Sequence, residues 1–187
     1  LAGFLALRRF SRPYLTSKIA TSADGFITAK IGQQTWLTND VSRVYAHNLR
    51  SRADAVLTGI DTILIDNPEL TCRLPGWRES SPVRIIFDSH LRLSSNNKVA
   101  QTVAAGPVVV FCSRVANSQD QKMLDKCGIE VVRLDRNADG LDLSAALQWC
   151  AKRNLSSLLL EAGTKLNHSF YSAGLIDQII HLSAQKK

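Results

Sequence analysis

The chain has 187 residues, 45% of them hydrophobic and 21% charged, with a formal net charge of +7. That size and balance describe one globular domain with its own core, and exclude a disordered or low-complexity chain. No apolar run is long enough to span a membrane, and the basic residues are scattered without aromatic interleaving, which favours a small phosphorylated partner over nucleic acid.

Residues 1–12 read as a connecting segment. Pro13 opens a strand at 14–20, where Leu15, Ser17 and Ile19 alternate with Tyr14, Thr16 and Lys18. Asp24-Gly25 marks a turn. Thr38 or Asn39 caps a helix to about Arg52, with Val41, Val44, Tyr45 and Leu49 along its inner stripe. Arg50 and Arg52 complement the dipole at its end.

Ala55, Val56 and Leu57 form a buried strand that Thr58-Gly59 breaks. A short helix follows through residues 62–65, and Pro68 ends it. A strand that feeds a glycine turn and a helix start aims backbone N–H groups at one place, which suits a phosphate. Asp66 and Arg73 come on the loop beyond, and Leu74 to Trp77 continue it.

A strand at 83–88 ends on Asp88-Ser89, and residues 91–101 read as irregular. Residues 107–112 are a continuous apolar strand, covered on both faces. A helix at 118–126 is ended by Gly128, a strand follows at 130–134, and Asp142 caps a helix at 143–153. A buried strand at 157–161, a turn at 162–164, a helix at 165–173 and a strand at 177–182 complete the chain. Strands alternating with helices imply an α/β domain with a mostly parallel central sheet flanked by helices.

In such a sheet, ligands sit beyond the carboxyl ends of strands. The Gly59 turn and the Ala162-Gly163-Thr164 turn both occupy such ends, so the two can flank one dinucleotide, with Glu161 beside them. Read alone, Glu161 is equally a carboxylate facing a helix dipole. The four cysteines form no Cys-x-x-Cys pair and no two of the four histidines lie at ligand spacing, so no metal is expected. Free thiols fit a reducing, cytoplasmic setting. Gly-x-Gly-x-x-Gly, Walker A and Gly-x-Ser-x-Gly strings are absent from the sequence.

Gly59 to Thr62, Asp66-Asn67-Pro68 and Leu70-Thr71-Cys72-Arg73 together resemble a family signature. So do Lys18-x-Ala20 with Asp24-Gly25, Trp36-x-Thr38, Asp88-Ser89 and Glu161 to Asn167. The family is the reductase domain of the bifunctional riboflavin-biosynthesis deaminase/reductase, whose fold is dihydrofolate-reductase-like. The resemblance covers almost the whole chain. Gln34 stands where the family commonly has serine, and Phe26 where it often has a basic residue.

The resemblance implies NADPH-dependent reduction of 5-amino-6-(5-phosphoribosylamino)uracil to its ribitylamino product. It places Lys18, Asp66 and Glu161 around the reacting carbon. Gln34, Arg50, Leu70, Arg73 and Glu161 would hold the substrate, with Arg50 and Arg73 on its phosphate. Ala20, Trp36, Thr62, Asp66, Ser89, Gly163, Thr164, Lys165, Leu166 and Asn167 would hold NADPH. By ordinary readings Lys18 is an exposed strand lysine, Trp36 a core residue, Arg50 a helix-end cation and Ser89 part of a turn. The resemblance further implies that residues 1–12 link residues 13–187 to a deaminase domain. It also implies strands beyond the last one here, and a homo-oligomer that covers the open edge. The alternatives are a paralogue of the same fold reducing another pterin or pyrimidine, and a non-catalytic phosphate-binding module.

Overall fold

The computed structural model describes residues 1–21, 40–73 (side chains from residue 44), 81–138 and 140–183. Gln34, Trp36, the Asp24-Gly25 turn, Phe26, the cap at Thr38 or Asn39, the Val41 side chain and the loop from Leu74 to Trp77 lie outside the described residues.

The chain runs α1 (Ala2–Phe10), β1 (Tyr14–Thr21), α2 (Asp40–Arg52), β2 (Ala55–Gly59), α3 (Ile60–Asp66), β3 (Val83–Phe87), α4 (Lys98–Gln101) and a 3-10 turn (Val103–Ala105). It continues with β4 (Val108–Ser113), α5 (Ser118–Lys126), β5 (Glu130–Leu134), β6 (Arg136–Asn137), β7 (Gly140–Leu141), α6 (Leu143–Lys152), β8 (Ser157–Leu160), α7 (Thr164–Ser172) and β9 (Gln178–Ser183). Among the described residues, seven strands form one sheet in the order β5-β4-β3-β2-β8-β1-β9. Every neighbouring pair in it is parallel, as the alternation of strands and helices implied. β6 and β7 make a separate antiparallel pair.

The central strands are apolar along their length because helices cover both faces; every residue of β4 is buried. Successive side chains point to opposite faces. Val56, Ile86 and Val110 therefore pack on one side with Ile63 and Leu124, and Leu57, Ile85 and Phe111 on the other with Leu147 and Phe170. Phe87 meets Phe111 and Phe170 edge-to-face, at centroid distances of 5.3 and 5.6 Å.

From β2 the chain moves outward through β3, β4 and β5. From β8 it crosses β1 to reach β9 on the other side. The strand order thus reverses between β2 and β8, which pair Leu57 with Leu160. Beyond their carboxyl ends lies the crevice where such sheets take ligands.

Val44 and Tyr45, expected on the inner stripe of α2, are instead 57% and 43% exposed, and two segments are helical where no helix was expected. Residues 2–10, read as part of a connecting segment, are helical and packed on the domain. Ala6 is buried, and a Cβ on Gly3 would lie 2.6 Å from the Ser156 carbonyl oxygen, so only glycine allows this approach. Arg12 then ties the join down, donating to both carboxylate oxygens of Asp177 at 2.7 and 2.9 Å. Residues 98–101 are also helical, in a stretch read as irregular. The Asn67 side chain accepts the Lys98 backbone N–H at 2.9 Å and so starts α4 from a distant loop. The α6 cap is as expected, with Asp142 accepting from the Ala145 N–H at 2.9 Å. Among the described residues no helix is long and apolar enough to cross a membrane.

Candidate active site at the β2–β8 crevice

Glu161 follows β8 and extends its ladder, its N–H donating to the Leu57 carbonyl at 2.9 Å. Its side chain is only 7% exposed. Arg50, on the last turn of α2, grips it with two prongs, Nε to Oε1 at 2.6 Å and Nη2 to Oε2 at 3.0 Å. Lys18 Nζ, from β1, donates to Oε2 at 3.3 Å. Three residues from three elements therefore converge, two cations on one carboxylate. Burial works to raise the Glu161 carboxyl, but Arg50 and then Lys18 overcome it and hold the pKa at about 2. For Arg50, burial works to lower the guanidinium pKa, and Glu161 more than reverses this.

The second half of the site is built by the two glycine turns. The Gly163 N–H donates to Thr62 Oγ1 at 3.3 Å, joining the start of α7 to α3. Gly59 faces the Leu166 side chain, which a Cβ there would meet at 3.7 Å. Ser17, fully buried in β1, donates to Asn167 Oδ1 at 2.7 Å, and Asn167 Nδ2 donates back to the Ala162 carbonyl at 2.5 Å. These bonds lock the 162–164 turn. Among the described residues no side chain caps the start of α7, where Thr164 and Lys165 are exposed. An uncapped helix start beside a basic side chain at the reversal point fits the pyrophosphate of a dinucleotide.

Ala20 lies two residues beyond Lys18 on β1, half-buried, and Ser89 comes just after β3, whose Phe87 pairs with Gly59. Asp66 closes α3, half-buried, and burial raises its carboxyl above the ordinary value.

The expected substrate residues separate. Leu70 is 3% exposed and packs in the core with Ile63 and Val99, so only its backbone is left to face a ligand. Arg73 is exposed and pairs with Glu69 at 2.6 Å. Arg50 spends its Nε and Nη2 on Glu161 and gives Nη1 to the Thr71 carbonyl at 3.2 Å. The two guanidinium groups thus each hold a carboxylate of their own.

Four residues here were not singled out from sequence. His47 accepts the Arg73 N–H on Nδ1 at 3.2 Å; its place three residues before Arg50, on the same helix face, was the available signal. Ser17 and Asn67 act through partners far along the chain. Arg84, fully buried in β3, donates to the Glu69 carbonyl at 3.1 Å, to Thr102 Oγ1 at 2.8 Å, and to the Thr102 and Gly106 carbonyls. It braces the 67–73 loop from beneath, and burial pulls its pKa down to about 10, Glu69 opposing. Among the described residues no group of His, Cys, Asp and Glu is arranged to hold a metal ion.

A family model described as the RibD C-terminal domain matches residues 13–185. The chain is 32% identical over 176 residues to riboflavin biosynthesis protein RibD of Bacillus amyloliquefaciens, covering 94% of this chain and 46% of that protein. The structure of Acinetobacter baumannii RibD superposes with a TM-score of 0.84 at 27% identity, over 99% of this chain and 49% of that one. A Thermotoga maritima diaminohydroxyphosphoribosylaminopyrimidine deaminase/5-amino-6-(5-phosphoribosylamino)uracil reductase matches with a TM-score of 0.78 at 28% identity, over 99% and 48% of the two chains. The chain spans about half the length of the curated relatives it matches. Its fold is the dihydrofolate-reductase-like one, and the chain belongs to the RibD C-terminal domain family.

Proposed function

We propose that this domain reduces 5-amino-6-(5-phosphoribosylamino)uracil to the 5-phosphoribitylamino product in riboflavin biosynthesis, with NADPH as the donor. The observation that carries this is the Lys18–Glu161–Arg50 cluster beside two glycine turns at the sheet's reversal point. The relatives' names support the substrate, and the uncapped start of α7 supports the cofactor. Gly163, Thr164, Lys165, Leu166 and Asn167 would hold its pyrophosphate, with Thr62, Asp66, Ala20 and Ser89 around the rest. NADPH, when bound, supplies a hydride to the carbon of an open-chain imine, the former anomeric carbon of the ribosylamine.

The chain's own residues handle charge and protons. Glu161 is ionised at neutral pH, so it accepts hydrogen bonds from ribosyl hydroxyls and offsets positive charge on the imine. It cannot donate a proton there, and Lys18, whose Nζ lies 3.3 Å from Glu161 Oε2, is the neighbouring proton source on this reading. Arg73, with its exposed guanidinium, is the better placed arginine for the phosphate; Arg50 adds positive field while it orients Glu161.

Four free cysteines among the described residues support a reducing, cytoplasmic setting. Among the described residues β9 lies at an edge of the sheet with Ile179 exposed, which fits pairing with a further strand, on this reading from a second copy. On the same reading α1 joins this domain to a deaminase half. The test is NADPH oxidation by the purified domain with the named uracil. Consumption that depends on the substrate is expected, and none from a folded, NADPH-binding domain would overturn the assignment.

A further inference from the structure

Three consecutive loop residues are each held by α2. The Thr71 carbonyl accepts from Arg50 Nη1 at 3.2 Å, the Cys72 thiol donates to the His47 carbonyl at 3.5 Å, and the Arg73 N–H donates to His47 Nδ1 at 3.2 Å. His47 and Arg50 lie three residues apart, so one helix face makes all three contacts. Only the last depends on a side chain that changes its hydrogen-bonding role. Neutral imidazole accepts on its bare nitrogen, whereas imidazolium donates from both.

We propose that His47 is a positioning residue for substrate binding: by accepting the Arg73 backbone N–H it fixes where the Arg73 guanidinium stands, and so how well the domain takes the phosphate of its substrate. This rests on the functional reading above for the identity of that substrate. Among the described residues the Arg73 side chain itself bonds Glu69 and Thr71, both on its own loop, so the hold on its backbone is what ties it to α2.

The groups facing the ring are Arg50 on its own helix, Arg73 on the loop, and Glu161 after β8, itself paired with Lys18 of β1. Burial, then Arg50 and Arg73, lower the His47 pKa from its ordinary value, with Glu161 and the Thr71 carbonyl opposing. At neutral pH the ring is therefore the acceptor Arg73 needs. Protonation on the acid side turns Nδ1 into a donor facing a donor, and the grip is lost.

The test compares His47→Leu, which cannot accept, with His47→Asn, whose amide oxygen can sit near the Nδ1 position. His47→Leu should raise KM for the phosphorylated uracil about two- to tenfold, the effect of losing one ordinary hydrogen bond. Its kcat and NADPH affinity should stay near wild type. His47→Asn should restore KM and remove the acid-side rise in KM expected of the wild type from protonation of His47. A merely structural histidine would shift melting without this split or this rescue.

A substrate-free readout separates the two proposals. Amide exchange at Arg73, followed by NMR, should quicken in His47→Leu and not in His47→Asn. Quickened exchange in a domain that does not turn over the uracil removes the functional reading and leaves the grip in place. Unchanged Arg73 exchange, or unchanged KM in an active His47→Leu enzyme, overturns the role of His47.

Discussion

Arg50 and Glu161 stand 111 residues apart in the chain and close a two-pronged ion pair at the carboxyl end of β8, at 2.6 and 3.0 Å. Taking two charges out of water is costly unless geometry is good and the remaining polar groups are satisfied. Here the fork matches both carboxylate oxygens, and Lys18 and the Thr71 carbonyl take up further bonds. The pair joins α2, β8 and the 71–73 loop into one unit.

Breaking that pair from one side should be expensive. Arg50→Ala leaves Glu161 buried with Lys18 alone, and the expected loss is about 3–5 kcal/mol of stability. That exceeds the loss of about 0.3–1 kcal/mol expected for a helix-end cation that only complements the dipole. Urea unfolding of wild type and variant distinguishes the two values. Arg50→Lys should recover only part of the difference, because an ammonium lacks the fork.

Acid should act through Glu161. Its folded pKa of about 2 lies below the ordinary 4.5, so between those values the unfolded chain binds more protons. The stability it contributes is complete above about pH 4.5 and is lost as pH falls towards 2. Urea midpoints across that window should fall less steeply for Glu161→Gln than for wild type. Parallel slopes would show that the carboxylate is not held as described.

Gly163→Asp should move stability and cofactor affinity in opposite directions. The position has φ −68° and ψ 177° at the start of α7, open to any residue. A Cβ there would meet only Thr62 Oγ1, at 3.8 Å. Aspartate is a favoured cap, so melting should hold or rise slightly, by a few tenths of a kcal/mol. The added charge occupies the place of an anionic pyrophosphate, and NADPH affinity should fall at least about tenfold. Fluorescence titration beside a melting curve reads both.

Arg73→Ala should raise KM for the phosphorylated substrate about ten- to a hundredfold, since a bond to a charged group contributes roughly 1.5–3 kcal/mol. Its pair with Glu69 is more than half exposed on the arginine side, so stability should change by under about 1 kcal/mol. NADPH affinity should hold, and Arg73→Lys should rescue poorly. Steady-state kinetics with both variants check this; an unchanged KM would remove Arg73 from the phosphate site.

Most of the fold was legible along the chain because it is written in local patterns. The apolar runs at β2, β4 and β8, the glycine turns that follow β2 and β8, and the Asp142 cap each state their structure within a few residues. Alternating strands and helices then leave a parallel sheet with ligands at its carboxyl end, so Glu161 and the Gly59 and Gly163 turns could be named as neighbours of one site, whereas Lys18 and Thr62 joined them only through the resemblance to a family. What local pattern could not state is which distant group each side chain meets. Arg50 at a helix end reads as a dipole complement, and only the placing of β8 beside β2 brings Glu161 to it. Leu70 shares a motif with Arg73 yet turns into the core, because its backbone at φ +58° reverses direction there. His47, Ser17, Asn67 and Arg84 satisfy backbone or side-chain groups 150 to 15 residues away. Hydrogen-bond partners at such separations are chosen by strand order and helix docking, so the tertiary structure alone decides them.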